Sequence, residues 1–249
     1  MAGHSHWAGI KHKKALIDAK RGKLWSKLSK AIIIAAKHGG GDPESNLKLR
    51  YAIDAARAVS MPKDNIQRAI KRGTGESDGA NFEEILYEGY GAAGVAILCD
   101  VLTDNRNRTA GEVRKIFEVG GGKLGESGCV AWMFDRKGLF VIPADKVDEN
   151  ALMELALDAG ADDFKHVEAK FEVTCEPSAF QGVADALAAA GIEPEVKEIA
   201  RIPKNTVDLD TETARTVLKL VEKLDDHDDV QSVSANFNIP EEALVELGG

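Results

Sequence analysis

Cysteine is scarce in this sequence of 249 residues. The three cysteines, Cys99, Cys129 and Cys175, lie far apart and form no C-x-x-C pair. An odd number of isolated cysteines argues against a disulfide framework and against a zinc knuckle. Each lies in an apolar run, so we expect all three to be small buried residues of a protein in a reducing, cytoplasmic environment.

Aromatic residues and long apolar runs are also rare. Aromatic residues make up 6% of the chain, and this low content favours helix-rich layers over a β-sandwich. The longest apolar run, residues 31–36, is far too short to cross a bilayer. The start of the chain leads into lysines rather than into an apolar stretch, so we expect neither a signal peptide nor a membrane partner.

No pattern of residues indicates a reaction. We find no Ser/His/Asp or Cys/His arrangement and no pair of carboxylates that stands out as an acid and a base. His4 and His6 lack a third ligand of known position, and the consecutive carboxylates of residues 225–229, DDHDD, rarely converge on one ion. We expect no enzymatic activity, metal, cofactor or small-molecule substrate, and we interpret residues 225–229 as a solvated turn.

What the sequence does have is a strong separation of charge. Residues 1–75 hold 16 Lys and Arg against 5 Asp and Glu, a net charge of +11. Residues 76–249 hold 16 Lys and Arg against 36 Asp and Glu, a net charge of −20, and the overall charge of −9 conceals the difference. A basic module joined to an acidic body is typical of a protein that binds a polyanion.

Hydrophobic periodicity and the positions of glycine and proline divide the chain into a helical N-terminal part and a remainder that contains both strands and helices. After a basic arm at 1–20, helices are predicted at 22–38, from an Asp42 N-cap to Ser60, and from Pro62 to Gly73. Beyond a linker we predict strands at 85–90, 95–103, 129–134, 139–142, 166–175, 196–202 and 230–237, and helices at 109–119, 149–159, 180–190 and 213–224. This alternation predicts α+β layers, and the part from Leu139 to Ile202 resembles a ferredoxin-like unit.

Lysines form one stripe of the first predicted helix. Lys20, Lys23, Lys27, Lys30 and Lys37 are three, four or seven residues apart, so a helix places them on one side. An apolar stripe lies more than a quarter-turn away and is expected to pack against a core. Because the lysine stripe contains no acid, we predict that it points outward and contacts nucleic-acid phosphates; the alternative is a solvated surface face.

Other basic residues extend this surface. In the segment 103–109, TDNRNRT, capping explains the Asn and Asp but not both arginines, so the segment is either a structural turn or a second loop facing nucleic acid. No helix-turn-helix, zinc-finger or aromatic RNA-binding consensus stands out, which favours recognition of backbone and shape. The residues predicted to contact nucleic acid are Trp7, Lys11, Lys13, Lys14, Lys20, Lys23, Lys27, Lys30, Arg68, Lys71, Arg72, Arg106 and Arg108.

Trp7 has two interpretations of equal weight. Its ring stacks on an exposed base while neighbouring lysines hold the backbone, or it pins the basic arm onto the helical domain.

Long motifs in order along the chain resemble the YebC/PmpR family, which includes the mitochondrial translational activator of cytochrome c oxidase subunit I. They are GHSHW, RGKLWSKL, GGGDPESN, MPKDNIQRAIKRGTG, YEGYGAAGVA, LTDNRNRT and GGGKLGESGCV. The chain departs from the family pattern at His6, where Lys is usual, at Trp25, where Phe is usual, and at Ala92-Ala93, where the loop usually has a proline.

The resemblance implies an α+β protein of three domains. We expect a basic helical nucleic-acid-binding domain at 1–75, an α+β domain at 80–135 plus 204–249, and a ferredoxin-like α+β domain inserted at 136–203. It implies a cytoplasmic, non-enzymatic regulator of transcription that binds DNA. Because some family members are associated with ribosomes and translation, the alternative is a translation factor that contacts ribosomal RNA or the ribosome.

Overall fold

The structure, a computed structural model, describes residues 21–76, 82–167 and 169–238. These residues form two compact units. The first unit holds the described residues up to Cys129 together with Thr216–Val233, and the second holds Val130–Arg215 together with the described residues from Ser234 onward. Within the described ranges, no helix has both the length and the apolar character needed to cross a membrane.

Three helices begin the first unit: α1, Arg21–Gly39; α2, Leu47–Ala58; and α3, Lys63–Gly73. Their apolar sides form one core, which includes Ile32, Leu49 and Ile70. The buried side chain of Asn46 joins α1 to α2. Its Nδ2 donates to the carbonyl oxygens of Ala35 and Gly40, both at 2.8 Å, and its Oδ1 accepts from the Leu49 amide at 3.1 Å.

The start of α2 differs from the prediction. Asp42 does not cap the helix, because its carboxylate closes a local turn instead: it accepts hydrogen bonds from the Glu44 amide at 3.0 Å and from the Ser45 hydroxyl at 3.1 Å. Asn46 takes the capping role four residues later. By contrast, α1 and α3 have almost the predicted bounds.

A four-stranded sheet completes the first unit. It consists of β1, Glu83–Tyr90; β2, Ala96–Thr103; β3, Lys123–Leu124; and β9, Val230–Ala235, in the order β3-β1-β2-β9. The helix α4, Arg106–Val119, follows β2. Because β9 lies beside β2, the C-terminal part of the chain returns to a sheet that begins more than a hundred residues earlier.

The second unit has a ferredoxin-like core. Its elements are β4, Phe134–Pro143; α5, Glu149–Asp158; β5, Ala161–Val167; β6, Lys170–Cys175; α6, Phe180–Ala189; and β7, Val196–Pro203. The strands are antiparallel in the order β5-β6-β4-β7, so the β-α-β-β-α-β topology confirms the ferredoxin-like prediction. A short strand β8, Val207–Asp208, follows and pairs in parallel with β10, Phe237–Asn238. The helix α7, Thr211–Asp225, begins in this unit, and its residues from Thr216 onward belong to the first unit.

Two strand predictions in this region are wrong. The predicted strand at 129–134 is a turn and a 3-10 helix, Ala131–Met133, and β4 then continues as one ten-residue strand. The predicted single strand at 166–175 is a hairpin of β5 and β6. β5 lies at the sheet edge and is rich in charged residues, as edge strands often are. It therefore lacks the apolar run on which the strand prediction depends. The boundaries of the three predicted domains stay a prediction.

Candidate nucleic-acid interface

The lysine face of α1, which we define as Lys23, Lys27 and Lys30, contacts residues 225–229, which we call the acidic loop. Each ammonium donates to a main-chain carbonyl oxygen of this loop: Lys23 to Asp226 at 3.2 Å, Lys27 to Asp225, and Lys30 to Asp228 at 3.0 Å. The carbonyls of Asp225 and the adjacent Asp226 lie at the C-terminal end of α7, where a helix leaves acceptors unpaired and carries partial negative charge, whereas the Asp228 carbonyl belongs to the loop beyond it. Lys23 and Lys27 therefore cap α7, and Lys30 holds the loop that follows it.

Two of these lysines are largely withdrawn from solvent. The side chains of Lys27 and Lys30 are 13% and 14% exposed, whereas that of Lys23 is 54% exposed. The expectation that the stripe points into solvent is therefore wrong for Lys27 and Lys30, because a complementary segment nearly 200 residues later covers them. Lys37, at the other end of α1, is exposed.

Asp229 is the anchor of the acidic loop. Its side chain is 5% exposed and accepts hydrogen bonds from Lys30 Nζ at 2.6 Å, Arg108 Nη2 at 2.6 Å, and the hydroxyls of Thr109 at 2.7 Å and Thr103 at 3.1 Å. Burial alone would raise the pKa of this carboxyl, but the hydrogen bonds from Lys30, Thr109 and Arg108 outweigh burial and hold its pKa well below the usual range. The interpretation of residues 225–229 as a solvated turn is wrong for Asp229.

The segment 103–109 is built largely as a structural turn. Asn105 caps α4, because its Oδ1 accepts from the Arg108 amide at 3.1 Å. The Arg108 guanidinium pairs with Asp229 and also with Asp104 at 3.2 Å. Arg106 is exposed on the first turn of α4. The structural alternative thus accounts for Arg108, whereas a nucleic-acid contact by Arg106 stays a prediction.

Glu112, His227 and Asp229 form a cluster with donor atoms close enough for a metal ion. His227 Nδ1 accepts from the Asp229 amide at 3.1 Å, which places the ring proton on Nε2 and lets it donate to Glu112 Oε2 at 2.9 Å. The Asp229 carboxylate already has two cationic partners, Lys30 and Arg108. The chemistry of this cluster therefore suits an internal hydrogen-bond network better than a cation site.

The basic residues of α3 have different surroundings. Arg68, Lys71 and Arg72, which we call the basic face of α3, are three and four residues apart and all exposed. Within the described ranges, no acidic side chain pairs with any of the three. The opposite side of α3 carries the buried residues Ile66, Ala69 and Ile70.

Close packing fixes the position of α3. At Gly73 a Cβ atom would lie 2.4 Å from the carbonyl oxygen of Ile33 and 2.6 Å from the Cβ of Ala36, so only glycine lets α3 approach α1 this closely. Pro62 precedes the first turn, where its missing N–H costs nothing. The basic face of α3 is thus presented on a helix whose apolar side packs against α1.

The predicted contacts at the start of the chain, Trp7, Lys11, Lys13, Lys14 and Lys20, lie outside the described residues. The stacking and pinning interpretations of Trp7 both stay open. Together with the contacts assigned above to α1, α3 and α4, they stay predictions.

Comparison with known proteins identifies the family. A family model described as the TACO1/YebC protein N-terminal domain matches residues 5–76, and one described as the TACO1/YebC second and third domain matches residues 82–237. The chain belongs to the TACO1/YebC family. The resemblance inferred from the motifs is therefore confirmed.

Curated members of this family match along the whole chain. A relative from Rhodopirellula baltica is 58% identical and covers 99% of this chain and 100% of its own length. A relative from Natranaerobius thermophilus is 57% identical and covers 100% of both. Each is named "Probable transcriptional regulatory protein". A crystal structure of a conserved hypothetical protein from Aquifex aeolicus superimposes with a TM-score of 0.86 at 49% identity, over 96% of this chain and 99% of that one.

Sequence reasoning missed the contact between the lysine face and the acidic loop. The signal was present, since four aspartates within five residues follow an amphipathic helix and oppose a stripe of lysines without acids. Opposite charges alone do not identify a pair, however, because nothing local links residues nearly 200 positions apart. The lysine face and the acidic loop meet only because the fold places β9 beside β2.

Proposed function

We propose that this TACO1/YebC family member is a nucleic-acid-binding regulator of transcription, and that the basic face of α3 makes its contacts with the DNA backbone. The observation that carries the proposal is the exposure of Arg68, Lys71 and Arg72 on one side of a helix whose other side is buried, with no acidic partner among the described residues. The names of the relatives support the same function.

The chemistry of this face suits phosphate. Two guanidinium groups can each fork onto the oxygens of a phosphate, and one ammonium adds a point charge. Contacts of this kind position a protein on a duplex and carry no sequence information. The proposal therefore assigns affinity and orientation to the basic face of α3.

We also propose that the protein acts in the cytoplasm, without a cofactor, a small-molecule substrate or a catalytic step. Because backbone contacts do not separate DNA from RNA, the same titration with an RNA duplex tests the alternative of a ribosomal RNA partner.

The test replaces all three residues, as Arg68→Gln, Lys71→Gln and Arg72→Gln. Binding of a DNA duplex is measured at several salt concentrations. The slope of log K against log salt should fall by about 0.9 for each lost phosphate contact, to a total of about 2.7.

The matched control is Arg136→Gln, Lys146→Gln and Lys197→Gln. It removes three exposed positive charges from the second unit and changes the net charge equally. An equal loss of slope in the control would show that net charge, rather than this face, governs binding. Tighter binding of RNA than of DNA by the unchanged protein would move the proposal to the RNA alternative.

A further inference from the structure

The acidic loop has more negative charge than the capping contact requires. The lysines of α1 already bond to main-chain carbonyls, which any residue supplies. The carboxylates of Asp225 and Asp228 lie further away, at 3.8 Å from Lys27 Nζ and 3.9 Å from Lys23 Nζ. These two side chains are 36% and 71% exposed, so their contribution to stability is small.

The position of these carboxylates also runs against the helix dipole. Asp225 is the last residue of α7, and Asp228 follows within the same loop. Negative charge at a helix C-terminus is unfavourable, because it adds to the partial negative charge that the helix dipole places there. Neither the end of α7 nor the capping of its carbonyls therefore explains why aspartate stands at these two positions.

The lysines opposite do explain it. A carboxylate within 4 Å of an ammonium occupies the place that a phosphate oxygen would take on a basic surface. Lys23 and Lys27, with a spacing of four residues on α1, face Asp228 and Asp225 respectively.

We propose that Asp225 and Asp228 act as an internal competitor of nucleic acid for the lysine face of α1. While the acidic loop is in place, its two carboxylates lie against Lys23 and Lys27, and nucleic acid contacts the basic face of α3. Displacement of the two carboxylates by phosphate adds the lysine face to the bound surface. This inference rests on the proposed function, whose bound surface it extends from α3 to α1.

Asp229 is not part of this competition. Its buried carboxylate, with four hydrogen-bond donors, holds the loop in the fold. The exposed carboxylates can therefore be neutralised while the anchor stays in place, which makes the inference testable.

The experiment compares the full chain carrying Asp225→Asn and Asp228→Asn with the unchanged protein in duplex DNA titrations across salt. The variant should bind more tightly. The slope of log K against log salt should rise by about 0.9 for each newly engaged phosphate, to a total of about 1.8. Asp228→Asn alone, at the more exposed position, should give about half of this rise and guards against misfolding of the double variant.

The matched control is Glu154→Gln with Asp158→Asn. It removes two exposed carboxylates from α5 in the second unit, and Asp158, like Asp225, is the last residue of its helix. A second control adds Lys23→Gln and Lys27→Gln to the double variant, and this should abolish the gain in slope.

The outcomes separate the two proposals. If the unchanged protein binds neither DNA nor RNA duplexes, the proposed function fails. If it binds, and neutralising the basic face of α3 weakens binding, but Asp225→Asn with Asp228→Asn gains no more than the α5 control, the competitor inference is overturned. A gain that survives the loss of Lys23 and Lys27 also overturns it, because the effect would then be one of net charge.

Discussion

The lysine face of α1 and the basic face of α3 have the same charge but different surroundings. On α1, Lys27 and Lys30 are covered by the acidic loop, and Lys30 is paired with a buried carboxylate. On α3, the three basic side chains are exposed and have no acidic partner within the described ranges. The difference shows that a stripe of charge identifies a polyanion surface only when the fold leaves that stripe uncovered.

The comparison also separates two uses of a cation. A lysine that caps a helix or pairs with a buried carboxylate stabilises the fold, and its removal changes the free energy of unfolding. An exposed cation without an acidic partner contributes little to the free energy of unfolding, and its removal changes the affinity for nucleic acid instead.

The largest effect is expected for Asp229→Ala. Its removal leaves Lys30 without its carboxylate in a site where that lysine is 14% exposed, and it also deprives Arg108 and two threonines of their acceptor. Breaking a buried pair from one side costs about 3–5 kcal/mol. Urea unfolding measures the loss, and Asp228→Ala, at an exposed position, should stay within about 0.5 kcal/mol of the unchanged protein.

The same carboxylate predicts a loss of stability in acid. The pKa of Asp229 is lower in the folded state than in the unfolded chain, so its contribution is fully present above the unfolded value of about 3.9 and declines as the pH falls below it. Unfolding free energies measured from pH 6 down to pH 2 should therefore fall less for Asp229→Asn than for the unchanged protein. Equal declines would contradict the pKa shift.

The packing of α3 against α1 can be disrupted without changing the charged residues of α3. Gly73→Ala places a Cβ atom against the Ile33 main chain, which cannot move aside as a flexible side chain would. Overpacking of this kind costs about 1–3 kcal/mol. Thermal unfolding checks the loss. Gly111→Ala, in α4 at a helical position with open space around a Cβ atom, is the control, and it should cause no loss of stability.

The sequence predicted the helices of the first unit well because their signals are local. Pro62 and Gly73 delimit α3, and the glycine run after α1 stops that helix. The ferredoxin-like topology followed from alternating patterns and from the family resemblance. The N-cap at Asp42 failed, because Asp and Asn suit a turn and a cap equally well, and only packing against α1 selects Asn46.

The candidate site was predictable only in part. Periodicity alone identified the basic face of α3 and the lysine stripe. The covering of Lys27 and Lys30 depends on how β9 returns beside β2, and no local pattern encodes that pairing. Arg108 illustrates the same limit, since its partner Asp229 lies 121 residues later.

A smaller effect distinguishes the two basic surfaces residue by residue. Lys27→Gln removes a largely buried ammonium from the C-terminal end of α7 and should lower the unfolding free energy by about 1 kcal/mol, with little change in DNA affinity. Lys71→Gln should do the reverse: unchanged unfolding and a salt slope lower by about 0.9. The unfolding free energy and the DNA affinity are measured for both variants. A loss of DNA affinity with Lys27→Gln but not with Lys71→Gln would contradict the roles assigned to the two surfaces.

The smallest effect is expected in the turn that joins α2 to α3. Ser60 has φ of +56°, a left-handed conformation that disfavours residues with a Cβ. Its amide donates to the Arg57 carbonyl and the Met61 amide to the Ala56 carbonyl, both at 2.9 Å, which is the pattern of a Schellman C-cap, where glycine is usual. Ser60→Gly should relieve the strain and raise the unfolding free energy by about 0.5–1 kcal/mol, the cost in chain entropy included.

Because the turn sets the entry of α3 without contacting its basic face, DNA affinity should not change. Ser60→Ala retains the Cβ and is the control, with an expected stability close to that of the unchanged protein. Thermal unfolding of the three proteins, beside their DNA titrations, provides the check. If Ser60→Gly weakens DNA binding while stabilising the fold, the orientation of α3 depends on the strained turn, and the basic face is then positioned by its N-terminal connection as well as by its packing at Gly73.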